Sequence, residues 1–215
     1  MNRAIAPAAL AALVLAAWPA SAQQSGWEEY RPNKTLFTAG YQISQPLGSF
    51  HDYTGGTSFR GFTFDWRSIL GANFSAGLRF NWNRWNENQA LATVTTPSGG
   101  TMSGPTFHVA DQFGVQAIGH YYFDMGRDSR LLPFLGVGLG GVWSNSRQQT
   151  IDLVSSQDGF YFIATPELGL MFNLARGATT AALNLSVLYN FTTASFRNVS
   201  NASALVETIG MTFSY

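Results

Sequence analysis

The sequence predicts an all-β fold, an eight-stranded antiparallel up-and-down transmembrane β-barrel preceded by a cleaved signal peptide. Three observations lead to this prediction. About eight segments of strand length alternate apolar with small polar residues, their connections are alternately long and short, and only 11% of the 215 residues are charged. Soluble domains carry about 25% charged residues. The composition therefore indicates a protein whose outer surface meets lipid.

The first segment, residues 1–22, has the three parts of a secretory signal peptide. A positive charge at Arg3 precedes an apolar stretch from about Ile5 to Trp18, and the small residues Ala20-Ser21-Ala22 follow. The apolar stretch is shorter than the roughly 20 residues that a membrane-spanning helix needs. We expect cleavage after Ala22, a short periplasmic segment over residues 23–34, and a barrel domain over 35–215.

The strands are recognised by two chemically different faces. The first two show this weakly and the next five clearly, with these apolar faces: Phe37, Ala39, Tyr41, Ile43; Phe62, Phe64, Trp66; Phe74, Ala76, Leu78, Phe80, Trp82; Phe113, Val115, Ala117, Tyr121, Phe123; Leu135, Val137, Leu139, Trp143; Phe160, Phe162, Leu168, Leu170, Phe172; Leu183, Leu185, Val187, Tyr189, Phe191. The last segment, Glu207 to Tyr215, alternates in the same way and ends the chain on an aromatic residue. It is predicted to be the strand that closes the barrel.

The connections predict which end of the barrel is external. Short turns are expected near 67–72, 125–130 and 174–179, and long loops near 46–57, 86–106, 147–158 and 194–203. The segment 86–106 is rich in Thr, Ser, Gly and Pro and is predicted to be a mobile loop. Outer-membrane barrels have short periplasmic turns and longer external loops.

The apolar faces are predicted to point outward, because the opposite faces carry Gly, Ser, Thr, Asn and Gln rather than the Lys, Glu and Asp of a water-exposed surface. Small polar residues suit the narrow interior of an eight-stranded barrel. A lipocalin-like binder, with its apolar face inside, is the alternative that this pattern disfavours. The outward aromatic residues are predicted to form two interfacial girdles. The periplasmic girdle comprises Trp66, Phe74, Phe123, Phe172, Phe213 and Tyr215, and the external girdle comprises Trp82, Trp143, Phe160, Phe162, Tyr189 and Phe191.

With its signal peptide, the glycine-alternating segment LLPFLGVGLGGVWS (131–144) and the terminal GMTFSY, the chain resembles small outer-membrane β-barrels of Gram-negative bacteria. This is the OmpA/OmpX-type or "porin family" group. The resemblance implies a location in the outer membrane, contact with its lipid and lipopolysaccharide, and recognition of the C-terminal strand by the outer-membrane assembly machinery. A role in tethering the envelope to the cell wall is not expected, because no segment of this sequence resembles a peptidoglycan-binding domain.

Four ionisable residues are predicted to point into the lumen: Asp65, Arg79, His120 and Glu167. Counting residues from the short turns puts Arg79 and Glu167 at similar heights, close enough to pair across a narrow barrel. Reflecting Glu167 through the turn at 174–179 also places Asn184 roughly opposite it. We therefore expect a polar plug centred on the Arg79–Glu167 pair, surrounded by hydrogen bonds from Gln116, His120 and Asn184. Such a network either fills the core or, if the pair can break, gates a small conductance.

Catalysis, cofactors, metals and nucleic acid are not expected. Ser49, His51 and Asp52 in the first long loop form a weak catalytic candidate, because a Ser-His-Asp arrangement needs specific contacts that adjacent residues do not make alone. The three histidines lack metal-ligand spacing, and a net charge of zero provides no basic patch for phosphates. The leading hypothesis is a monomeric barrel with a structural or surface-interaction role. The alternatives are a small-solute channel and an enzyme that modifies lipid A.

Overall fold

The structure, a computed structural model, describes residues 34–71, 73–95, 99–123, 125, 130–150, 153–174, 180–196 and 199–215. The predicted signal peptide and nearly all of the segment 23–34 lie outside these residues. Eight antiparallel strands form one closed barrel in sequence order, which confirms the predicted fold. The strands are β1 (Thr35–Pro46), β2 (Ser58–Gly71), β3 (Phe74–Thr95), β4 (Thr101–Tyr122), β5 (Leu131–Thr150), β6 (Leu153–Asn173), β7 (Thr180–Thr192) and β8 (Ala204–Ser214).

The barrel closes by pairing of β1 with β8, from Leu36 opposite Ser214 to Pro46 opposite Ala204. Two further backbone hydrogen bonds join Thr35 and Tyr215, at 3.1 and 3.2 Å. The aromatic C-terminal residue is therefore part of the closing seam, as the alternation of the last segment predicted. Closure matters in lipid because backbone groups there have no water to bind.

The alternation also predicts correctly which faces point outward. Phe80, Val115 and Leu139 keep 48%, 48% and 53% of their side chains exposed on the outside of the barrel. On the opposite faces, Asn83 and Gln116 are each only 1% exposed. The outside is thus an apolar belt and the inside is a packed, largely polar lumen.

The prediction of a mobile loop over 86–106 is wrong. β3 continues to Thr95 and β4 begins at Thr101, so most of this segment is strand. Its Thr and Val residues favour strands, and Pro105 lies at the irregularity in the β3–β4 register, where a missing N–H is tolerated. The loop expected over 147–158 is likewise mostly strand, because β5 reaches Thr150 and β6 begins at Leu153.

The first predicted turn is also misplaced. β2 continues to Gly71 and β3 begins at Phe74, so Arg67 lies within the strand. The first long loop contains a six-residue helix, α1 (Ser49–Thr54). Within the described residues, no helix is long and apolar enough to cross a membrane.

Candidate functional site: the lumen and its outer mouth

The centre of the lumen is an ion-pair cluster around Arg79. Asp65 on β2 is the direct cross-strand partner of Arg79 on β3. The guanidinium donates from Nε to Asp65 Oδ1 at 2.8 Å and from Nη2 to Oδ2 at 2.7 Å. Nη2 also donates to Glu167 Oε2, on β6, at 2.8 Å. One guanidinium thus holds two buried carboxylates, and the bidentate geometry with Asp65 is the strongest form of this contact.

The cluster continues through His120 and Arg67 toward the end of the barrel at which β1 begins and β8 ends. We call this end the inner end and the opposite one the outer end. His120 Nε2 lies 3.0 Å from Glu167 Oε2, and His120 Nδ1 contacts Arg67 Nη1. A guanidinium can only donate, so Nδ1 accepts and the ring proton is on Nε2, from which it is donated to Glu167. Arg67 also donates to the Tyr122 hydroxyl at 2.6 Å and to the Thr38 hydroxyl at 2.7 Å. The cluster therefore balances two guanidiniums against two carboxylates.

Arg67 is the lumen residue that sequence reasoning missed. Its side chain is fully buried, but the prediction had assigned it to a turn. The signal was available, because Asp65 and Arg67 share parity and point to the same side of β2. A turn placed five residues too early concealed it.

Two predicted members of the network lie elsewhere in the lumen. Gln116 donates to Asn81 Oδ1 at 3.2 Å rather than to the ion pair. Asn184 lies opposite Met171 and Gly210, nearer the inner end, and its Oδ1 has no partner within the described part of the protein. Counting from the turn placed Asn184 opposite Glu167, but the register puts Leu188 there.

A cluster of buried apolar side chains lies toward each end of the polar lumen. At the inner end, the buried cluster comprises Leu36, Ile69, Tyr122, Leu132, Phe134, Met171 and Ala182. At the outer end, residues from α1, the strands and the last long loop form a second cluster that we call the lid: Phe50, Trp85, Ala110, Leu188, Ala194, Phe196, Val199, Ala202, Ala204 and Val206. The polar centre is therefore packed between two apolar layers.

The lid is held in place by α1 and by residues 193–196 and 199–203 of the last long loop. Phe50 is fully buried, with ring centroids 4.9 Å from Trp85 and 6.1 Å from Phe196. Tyr53 stacks on His108 at 4.5 Å, and its carbonyl lies 2.8 Å from His108 Nδ1. The loop is tied to the lumen wall by Gln112, which donates to the Ala202 carbonyl at 3.1 Å.

The weak catalytic candidates lie at the surface of α1. His51 and Asp52 are 58% and 84% exposed, with 3.8 Å between His51 Nδ1 and Asp52 Oδ1. The Ser49 hydroxyl accepts a hydrogen bond from the Ser200 backbone N–H at 3.2 Å. Among the described residues, no hydrogen bond joins Ser49 to His51, and no group of three or more His, Asp or Glu residues could hold a metal ion.

The predicted girdle residues lie on the outside of the barrel. Phe123 and Trp82 are half-buried, and the rest are exposed. The external side also has a continuous row across β2 to β5, with neighbouring ring centroids at 5.4, 6.0 and 5.9 Å: Phe62, Trp82, Phe113 and Trp143. Their interfacial role stays a prediction.

Comparison with known proteins supports the fold. No family model and no curated protein matches the sequence. Among solved structures, the chain is similar to Ail, the attachment invasion locus protein of Yersinia pestis. The identity is 12% and the TM-score 0.52, over 86% of this chain and 100% of Ail. Ail in complex with the heparin analogue sucrose octasulfate gives 11% and 0.51 over the same shares. The outer-membrane protein OprG from Pseudomonas aeruginosa gives 13% and 0.49, over 86% and 97%. The likeness to Ail shows that the chain has the fold of the small outer-membrane β-barrels.

Proposed function

We propose that this protein is an outer-membrane β-barrel with a closed lumen that acts through its external surface, in a structural or surface-interaction role. The observation that carries this proposal is the packing of the lumen, polar at its centre and apolar at both ends. A barrel filled in this way has little use for its interior beyond stability. The surface outside the membrane is then the part of the protein that is available to contact other molecules.

The external surface is enlarged by four strands. β3 to β6 have 20 to 22 residues each, whereas the other four strands have 11 to 14. The last β2–β3 pair is Gly61 with Asn83, and the first β6–β7 pair is Ile163 with Thr192. Beyond those pairs, β3 and β6 are the edges of a projecting sheet in the described structure. Sheet edges can add a strand from a partner.

Arginines lie on the outward faces beside the aromatic row. Arg60, Arg84 and Arg147 are on β2, β3 and β5, and Arg84 is 40% exposed with Nε 3.6 Å from Asp111 Oδ1. Guanidinium groups bind phosphates and sulfates in bidentate fashion. This supports contact with lipopolysaccharide phosphates, and the Ail complex makes a sulfated sugar a useful probe. The exposed Tyr215 at the end of the closing strand supports recognition by the assembly machinery.

The surface role is tested by binding and the closed lumen by conductance. The barrel is placed in phospholipid nanodiscs and titrated with lipopolysaccharide and with sucrose octasulfate. The double variant Arg84→Gln with Arg147→Gln should bind several-fold more weakly. This loss should be larger at low salt, where exposed charges are screened less. The control is Arg130→Gln, which changes an exposed arginine at the inner end. If the double variant loses no more binding than this control, the external arginines do not have the proposed role.

The closed lumen is tested in planar bilayers, where the wild type should not conduct. Steady wild-type channels that change size in Arg79→Ala would instead support a small channel gated by the ion pair.

A further inference from the structure

Glu207 is a carboxylate on the lipid-facing side of the barrel. It is exposed on the outer face of β8, where its cross-strand partners are Ile43 on β1 and Val187 on β7. Leu205 and Ile209 lie on either side of it along the same face. Within the described residues, no hydrogen bond or ion pair reaches its carboxylate. Ionisable residues on a lipid-facing wall are rare, so this position is a candidate for a functional contact.

A second polar feature lies on the neighbouring strands. The β6–β7 ladder pairs Ala164 with Phe191 and Glu167 with Leu188, but it is interrupted between them at Pro166. The register on both sides puts Pro166 opposite Tyr189. Proline lacks an N–H, so the ladder loses a hydrogen bond beside Tyr189, at the level of the predicted external girdle. Tyr189 itself points outward and is 39% exposed.

Glu207 and Tyr189 are neighbours on the barrel surface. The β8 partner of Tyr189 is Leu205, two residues from Glu207, so the two side chains are diagonal neighbours on one face. Diagonal pairs are about 7–8 Å apart, within reach of long side chains. A carboxylate accepts hydrogen bonds and a phenol donates them. The outer face of β7 and β8 around these two residues, which we call the patch, therefore carries both a hydrogen-bond donor and an acceptor. Such a surface is complementary to a second copy of itself, as a two-fold interface requires.

We propose that this face of β7 and β8 binds a second copy of the chain within the membrane. In this two-fold dimer, the Tyr189 hydroxyl of each copy donates to Glu207 of the other copy. The aliphatic border of the patch, Ile43, Val187, Leu205 and Ile209, packs against its counterpart. The dimer replaces the monomer that the sequence led us to expect. It does not depend on what the external surface binds.

The absence of cysteine from the sequence allows a direct test. Leu205→Cys places one thiol beside the patch. Val115→Cys, at an outward position on β4 that is 48% exposed, places one away from it as the matched control. Each mature variant is reconstituted in phosphatidylglycerol–phosphatidylethanolamine vesicles at several protein-to-lipid ratios and oxidised. Disulfide-linked dimers are then quantified by electrophoresis.

We expect Leu205→Cys to crosslink at protein-to-lipid ratios where Val115→Cys does not. Adding Glu207→Leu or Tyr189→Phe should lower the crosslinked fraction about ten-fold or more, because each dimer loses two hydrogen bonds that involve a charged group. Both additions should leave the barrel folded, as judged by its mobility on unheated gels, since neither introduces a charge into lipid. Equal crosslinking at the two positions, or crosslinking that survives Glu207→Leu, would mean that lipid alone covers this face and would overturn the proposal.

Discussion

Replacing Arg79 with methionine tests whether the lumen cluster is an ion-pair network. The substitution removes three hydrogen bonds, two to Asp65 and one to Glu167. It leaves two carboxylates that are 2% and 6% exposed, facing each other with only Arg67 nearby to balance them. Methionine retains most of the side-chain volume, so the effect of lost charge exceeds the effect of a cavity.

Breaking a buried pair by removing one partner costs about 3–5 kcal/mol. At roughly 1.4 kcal/mol for each factor of ten, Arg79→Met should lower the folding equilibrium constant by about two to four orders of magnitude. Glu167→Gln should cost less, because Arg79 keeps both hydrogen bonds to Asp65. The double variant retains one guanidinium, on Arg67, and one carboxylate, on Asp65. We expect it to be more stable than Arg79→Met by at least about 1 kcal/mol, since neutrality is restored.

The measurement is urea-induced unfolding from phospholipid vesicles, followed by tryptophan fluorescence and by the shift in mobility on unheated gels. The single and double variants are compared with the wild type under the same conditions. If the double variant loses as much stability as Arg79→Met, or more, the charges act independently. The network described for the lumen would then be wrong.

Three further predictions concern the packing of the lumen and the lid. Gly136→Ala should cost about 1–3 kcal/mol in the same assay, because a Cβ there would lie 2.6 Å from His120. Gly71→Ala, with nothing within 4 Å, is its neutral control. Phe50→Ala should loosen the lid and speed hydrogen exchange in α1, while barrel unfolding stays near wild type because α1, which carries Phe50, is not paired into the barrel wall. Combining Phe50→Ala with Arg79→Ala should raise bilayer conductance above that of either single variant, and unchanged conductance would mean that the inner apolar cluster alone seals the barrel.

The strand faces were predictable because their signal is local. Side chains at alternate positions of a strand share a face, so the alternation within each segment identifies the residues that point the same way. This was enough to predict the eight strands and their outward residues. The strand ends were not predictable in the same way. Where β3 and β4 leave the membrane, Thr, Ser and Gly suit either a loop or an exposed strand, and the choice depends on pairing between distant residues.

The approximate positions of lumen residues could also be predicted, but their partners could not. Counting from the turns put Arg79 and Glu167 near one height, and the structure brings them to 2.8 Å. The same counting failed for Asn184, because strands in a barrel are staggered and each strand shifts the level of the next. It also missed Arg67, whose place depends on where β2 ends. A side chain that reaches across a lumen is fixed by the register of several strands at once.

The distribution of polar chemistry over the barrel bears on function. Inside, the charged groups of the Arg79 cluster find partners in one another, although buried polar atoms such as Arg67 Nε and Asn184 Oδ1 have no partner among the described residues. Outside, Glu207 and Tyr189 find no such partners among the described residues, and the projecting sheet of β3 to β6 has edges with no strand beside them. Polar groups that are costly and unsatisfied in an isolated barrel persist only where something else satisfies them. Because a partner cannot reach the buried atoms of the lumen, we expect the interaction sites on the outer wall and on the projecting sheet.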